Sequence, residues 1–307
     1  MYKTWAEQEM GHYSKEYKEI IVKQLDNYFE EYSKDAKYNK TLWDSMRYTT
    51  LLDGKRLRAI MCIEAAKSFG ASMEDALPAA CAMEIMHAYS LIHDDLPCMD
   101  NDDLRRGKPS NHKVFGEAIA VLAGDSLISF GAQLIIDKTK KSPEIVLDIV
   151  SDYLKCAGAI GITSGQCADI EAETKEIDIE NLEYIHKYKT GALFNCAIIT
   201  GAKIAGVKNT EKLSEFAFNF GTLFQIYDDI IDATLTTAEL GKTANKDENV
   251  KKLTYVTAWG LDKTRDIFKN EVIKNRILLK DSGLNRNVFE DIYNMMLEKT
   301  GVGIGRV

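Results

Sequence analysis

The chain has 307 residues, of which 45% are apolar and 28% charged, and it carries a net charge of −8. Length alone leaves one or two domains open, and the composition is that of an ordinary globular protein. No block of lysine or arginine stands apart, which argues against a nucleic-acid surface but leaves room for a small phosphorylated ligand held by local cations and a metal.

Apolar positions recur mostly at i, i+3, i+4 and i+7, so the chain is expected to be nearly all α. The N-terminal "MYKTWAEQEMGHYSKEYKEI" is polar and has neither a signal core nor an arginine-rich transit pattern. The first stretch with chemistry in it is "LLDGKRLRAI", residues 51–60, where Lys55 and Arg58 fall at i and i+3 on one face of a predicted helix. Next comes "AMEIMHAYS", a mostly apolar helix that runs into "LIHDDLPCMDNDDLRRGKPSNH" (91–112). Between Asp94 and Lys108 this stretch crowds five aspartates and three cations. Pro97 lacks the N–H that would bond back to His93, so the helix should end near Asp94 and Asp95. Asp100 follows Asp94 by six residues, so only a bulge at "LPCM" brings the two together. His87 shares a face with Asp94 two turns away. A solvated loop and a metal-bearing carboxylate cluster both fit this stretch by itself.

Residues 118–136, "AIAVLAGDSLISFGAQLII", are long enough for a membrane span, but Asp125 and Gln133 and the lack of anchoring residues favour a helix within a bundle. "KKSPE", "GVKNTEK" and "LKDSGLNRN" read as turns between helices, and without a glycine- or proline-rich linker one domain over 1–307 is expected. "YKTGAL" offers Lys189 and Thr190, and "LGKT" offers Lys242. In "FNFGTLFQIYDDIIDA" the polar positions Gln225, Asp228, Asp229 and Asp232 form one helical stripe. Three carboxylates side by side repel one another unless a divalent cation sits on them, and oxygen-only ligands favour Mg²⁺. This acidic pair begins 134 residues after the first. The six cysteines form no C-x-x-C pair and read as reduced thiols, which sets the expectation of a cytoplasmic protein.

The motifs "GKRLR", "MHAYSLIHDDLPCMDNDDLRRGKPSNH", "FGEAIAVLAGD", "GQCADIEAE", "HKYKTGAL" and "FQIYDDIIDATLTTAELGK" together resemble the trans-isoprenyl diphosphate synthases, from about residue 40 to residue 260. The chain is most similar to the short-chain bacterial farnesyl diphosphate synthases. The resemblance implies an all-α bundle with a central apolar cavity, and a homodimer. It implies Mg²⁺ held by Asp94 and Asp100, with Asp95 beside them, and by Asp228, with Asp229 and Asp232 supporting. Lys55, Arg58, His87 and Arg106 correspond to residues gripping isopentenyl diphosphate. Arg105, Lys189, Thr190, Gln225 and Lys242 correspond to residues around the allylic diphosphate, the last four at catalytic positions. Two departures stand out: the family's usual G-K-x-T-Y-P reads "KKLTYV" here, with Lys251 and Val256, which leaves the role of Lys252 open, and the tail "GVGIGRV" matches no end signature.

The reaction so implied is head-to-tail condensation, with diphosphate leaving and the double bond of isopentenyl diphosphate attacking. Tyr89, five residues before Asp94, stands where bacterial farnesyl synthases carry an aromatic and plant-type geranylgeranyl synthases do not, which favours a C15 product over C20. A terpene cyclase would have no need of "GKRLR", and a non-catalytic subunit should have lost one acidic motif.

Overall fold

The computed structural model describes residues 12–175, 178–234 and 253–303. Its long helices are α1 (His12–Ser33), α2 (Lys40–Leu51), α3 (Leu57–Ser68), α4 (Met73–Asp94), α6 (Glu117–Lys138) and α7 (Pro143–Ala157), with a short α5 (Asn111–Phe115) between α4 and α6. After α8 (Ile162–Ala172) and α9 (Ile179–Ile185), a π-helical segment (His186–Gly191) leads into α10 (Ala192–Ile204) and α11 (Glu211–Thr234). A short α12 (Tyr255–Trp259), α13 (Leu261–Ser282) and α14 (Arg286–Thr300) complete the order. The single β feature among the described residues is a two-stranded antiparallel ribbon pairing Leu104–Arg105 with Lys108–Pro109. The all-α expectation holds.

The bundle is built on α3, α4, α10 and α11. The closest packing is α4 on α6 and α3 on α10, followed by α11 on α13 and α3 on α4. Helix α4 starts at a capping box in which Ser72 accepts from the Asp75 N–H and Asp75 reaches back to the Ser72 N–H, satisfying donors that the first turn would otherwise strand. From Ala76 to Met86 nearly every residue of α4 is buried, which explains its unbroken apolar character: it is enclosed on all sides rather than amphipathic. In α11 the phenylalanines 216 and 220 are fully buried and stack edge-on with Phe289 and Phe194.

Helix α6 is, among the described residues, the one helix long and apolar enough to cross a membrane by length and composition, and half of that window is buried inside the chain. Its inner face packs on α4, whereas Val121, Leu122 and Ile136 remain exposed. The turns expected between helices are found after Lys138, after Ile204 and after Ser282. All six cysteines are unbridged; Cys62, Cys81, Cys156 and Cys196 are buried, and Cys98 and Cys167 are exposed.

Candidate active site

Helix α4 stops where Pro97 requires, with Asp94 as its last residue and Asp95 capping it. The chain then folds back tightly: the Asp100 N–H donates to the Asp94 carbonyl at 2.8 Å, and the Asn101 N–H, from a left-handed residue (φ 50°), donates to Leu96 at 3.1 Å. The bulge anticipated at "LPCM" is therefore present and sets Asp100 beside Asp94. Burial pushes the Asp94 carboxyl up to about 6; Lys189 pulls it back down, and Asp100 and Asp95 add to the rise. Asp95 faces the other way. It is 1% exposed and paired with Arg105, whose Nε donates to both of its oxygens at 3.0 and 3.2 Å.

The ribbon after this loop turns through Arg106 (φ 55°) and Gly107 (φ 73°), both left-handed, as a two-residue hairpin prefers. Its turn sends the two arginines to different partners. Arg105 returns to Asp95 and Asp102, while Arg106 donates to the Leu52 carbonyl at 3.1 Å and joins a group of cations. That group comprises Arg56, Arg58 and Arg106, with the neutral imidazole of His87 among them. Burial pushes the Arg106 guanidinium down to about 10, with Arg56, Arg105 and Arg58 adding to the effect against Glu84. Burial and the same arginines hold the His87 imidazole well below its ordinary 6.5. Arg58 Nε has no hydrogen-bond partner among the described residues, and its guanidinium lies 4.7 Å from the Phe194 ring centroid. Positive charge here exceeds the protein's own negative charge, as a site for a polyanion requires.

Lys55 does not share a helical face with Arg58. The left-handed Arg56 (φ 55°, ψ 31°) breaks the chain between them, and α3 begins only at Leu57. Lys55 instead points towards α11, 5.3 Å from the Tyr227 ring centroid and 5.9 Å from that of Phe224.

Lys189 and Thr190 lie in the π-helical segment, a wide turn of the kind that often marks functional positions. Two glycines admit it: a Cβ on Gly165 would stand 2.1 Å from the Lys189 nitrogen, and one on Gly221 would stand 2.4 Å from the Gly191 Cα. Lys189 Nζ donates to Asp169 Oδ2 at 2.6 Å. Although burial opposes its charge, Asp94, Asp169 and Asp100 together raise the ammonium above its ordinary value, so it stays protonated facing the first acidic motif.

On α11 none of Gln225, Asp228, Asp229 and Asp232 is exposed, so the stripe is not a solvated one. Thr190 Oγ1 donates to Gln225 Oε1 (3.1 Å), and Gln225 Nε2 donates to Asp229 Oδ1 (3.1 Å). The Tyr255 N–H completes the chain on Asp229 Oδ2 at 2.8 Å. Asp229 thus works inside the protein, while Asp228 feels the buried Arg58 charge. Lys242 and Lys252 lie outside the described residues.

Among the described residues no three His, Cys, Asp or Glu side chains are gathered as a metal-ligating group. The donor set nevertheless fits Mg²⁺, which typically takes one or two carboxylates and fills its remaining positions with water and phosphate oxygens. Asp94 and Asp100 supply that from the end of α4 and Asp228 from within α11. The Asp94 carboxyl, raised chiefly by burial and also by Asp100 and Asp95, would be held ionised by a bound cation.

Three participants escaped the sequence reading. Arg56 stands between Lys55 and Arg58 with no local signal that sets it apart. Glu84 and Asp169 are carboxylates in helices that bury them to 3% exposure, and a carboxylate in an apolar run is itself the signal, since burying it demands a partner. Gln166, one turn before Asp169, is buried with neither amide atom partnered among the described residues.

Against known proteins, the polyprenyl synthetase family matches residues 39–296. The chain belongs to that family. It is 48% identical over 227 residues to a chloroplastic geranylgeranyl pyrophosphate synthase of Catharanthus roseus, covering 73% of this chain and 64% of that relative. It therefore spans just under two thirds of that relative's length. It is 43% identical over 244 residues to the farnesyl diphosphate synthase of Geobacillus stearothermophilus, covering 78% of this chain and 81% of the relative. Among solved structures it resembles a geranyltransferase of Helicobacter pylori complexed with magnesium and isoprenyl diphosphate, at TM-score 0.76 and 27% identity over 92% of this chain and 97% of that one.

Proposed function

We propose that this polyprenyl synthetase condenses isopentenyl diphosphate with an allylic diphosphate, head to tail, in a Mg²⁺-dependent reaction. One observation carries the reading: a buried group of Arg58, Arg106 and His87 lies beside Asp228 of the second acidic motif and next to Arg105, which pairs with Asp95 of the first. Cations alone would suit any polyanion; cations beside paired carboxylates suit a diphosphate that brings its own metal. The Helicobacter structure, with its magnesium and isoprenyl diphosphate, supports the choice of metal and ligand.

In this reading Arg58, Arg106, His87 and Lys55 hold the diphosphate of the attacking substrate, and Lys189, Thr190 and Gln225 frame the allylic one. Bound Mg²⁺ would stabilise the diphosphate as it leaves. The protein's own part is to fix the two diphosphates so that the double bond faces the allylic carbon, and to keep water from the cation formed there. The Thr190–Gln225–Asp229–Tyr255 chain holds that wall in place, and Lys189 presents a fixed positive charge beside Asp94.

For product length we infer farnesyl diphosphate, C15. Tyr89 is 5% exposed, donates to the Ala157 carbonyl at 2.9 Å, and packs edge-on against His93. In this reading the ring so anchored would bound the space in which the chain grows. The C20 alternative is favoured by the 48% identity to the Catharanthus geranylgeranyl synthase. The exposed Val121, Leu122 and Ile136 of α6 support a homodimer closed over that face, in one domain running the length of the chain. The unbridged thiols support a cytoplasmic setting.

The test is direct. Incubating the protein with Mg²⁺, radiolabelled isopentenyl diphosphate and each allylic primer should give a C15 chain; no elongation with any primer would end the reading. Tyr89→Ala should shift the product to C20 or longer, and a variant that still stops at C15 would remove Tyr89 as the length gauge.

A further inference from the structure

We propose that Arg56 and Glu84 form a buried positioning pair that presents Lys55 and Arg58 to the diphosphate of isopentenyl diphosphate. The inference rests on the function just proposed and deepens it. Both residues are 3% exposed, and Arg56 Nη1 meets Glu84 Oε2 at 3.4 Å. Burying such a pair gains little stability over well-packed apolar residues, so its use lies in the geometry it imposes.

That geometry is specific. Arg56 Nη1 donates to the Thr50 carbonyl (2.9 Å) and Nη2 to the Leu52 carbonyl (2.6 Å), so one guanidinium ties down the last turn of α2 and the residue after it. Glu84 Oε1 accepts from the Ala59 N–H at 3.2 Å, in the first turn of α3. Arg56, at the capping position of α3, contributes no side-chain cap, so a carboxylate from α4 performs that task. The left-handed backbone at Arg56 turns the chain sharply between its two neighbours and is strained for a non-glycine residue. Lys55 and Arg58 therefore sit on either side of a residue held at its carbonyl partners, its carboxylate and its backbone. Glu84 also lies one turn before His87 on α4, so the same carboxylate relates Lys55 and Arg58 to the third side chain of the site. Leu52 accepts from Arg106 as well as from Arg56, which joins the fourth to the same frame.

Glu84→Gln preserves the shape and removes the charge. The KM for isopentenyl diphosphate should rise about tenfold, the effect of one charge-assisted hydrogen bond, while the KM for the allylic partner stays within about twofold. In a cycle with Arg56→Met, the double variant should lose less than the product of the two single losses. If Glu84→Gln does not fold, Arg56→Lys carries the same expectation, because an ammonium keeps the charge but cannot span two carbonyls and a carboxylate. A folded variant with unchanged KM for isopentenyl diphosphate, or with both KM values raised equally, overturns the positioning role. Wild-type protein without any condensation activity would instead overturn the function on which it rests.

Discussion

The two acidic motifs look alike in sequence and are solved differently in space. At the end of α4 the second aspartate, Asp95, is neutralised by a full charge, the Arg105 guanidinium that a hairpin returns to it. Within α11 the second aspartate, Asp229, accepts among the described residues from neutral donors, the Gln225 amide and the Tyr255 N–H. In each pair one carboxylate is folded into the protein and its neighbour is left half-buried at the site. A repeated "DD" therefore encodes two jobs rather than two ligands, and the means of securing the inner aspartate depends on whether the motif ends a helix or lies inside one.

The largest effect should come from the outer pair. Asp94→Ala or Asp228→Ala should lower turnover on the order of a thousandfold while leaving helical circular dichroism unchanged. Near-normal turnover in either would remove that motif from the metal site.

The inner pair should separate the two solutions by stability. Asp95→Asn takes from the buried Arg105 guanidinium its closest carboxylate, leaving only the longer Asp102 contact at 3.5 Å, and should cost about 3 kcal/mol in urea unfolding. Asp229→Asn keeps an acceptor for the Tyr255 N–H and should cost only about 1–2 kcal/mol. Equal losses would mean that the motifs are built alike after all.

The smallest effect is a pH dependence confined to the α4 side. Burial and the surrounding arginines depress the His87 pKa, so its share of stability is complete above its ordinary 6.5. As pH falls below that value the unfolded chain takes up a proton that the folded one refuses, and stability should drop by at most about 1.4 kcal/mol per pH unit. Asp94, raised to about 6, gains its proton in the folded chain over the same range and opposes that drop, so the comparison is made in an Asp94→Asn background. Urea unfolding of that ligand-free variant between pH 7 and pH 5.5 should show the His87 slope, and adding His87→Gln should flatten it. An unchanged slope in the variant would place the titrating group elsewhere.

Much of this was legible in the sequence because the controlling physics is local. Pro97 ends α4, and the spacing of Gln225, Asp228, Asp229 and Asp232 fixes a helical stripe. The bulge returning Asp100 to Asp94 was also foreseeable, since no regular helix joins them. Other features depend on distant residues. Periodicity alone carries Lys55 and Arg58 on one helix, because nothing nearby announces that Arg56 will adopt a left-handed backbone to reach Thr50, Leu52 and Glu84. The inward turn of Asp229 is set by Tyr255, 26 residues later. The wide turn carrying Lys189 is admitted by the absence of a side chain at Gly165 and Gly221.

That wide turn has a bearing on which insertions and deletions the chain can bear. A π-helical turn is an α-helical turn holding one surplus residue, and each residue in a helix accounts for roughly 100° of rotation. Removing one residue from His186–Gly191 would restore regular winding through α9 and α10, but only by rotating everything on one side of the cut by that angle. With α10 fixed against α3, the rotation would fall on Lys189 and the preceding helix, carrying the ammonium away from Asp94 and Asp169. Length here is as constrained as residue type, although the segment would look to a count of helical periods like a harmless place to lose a residue.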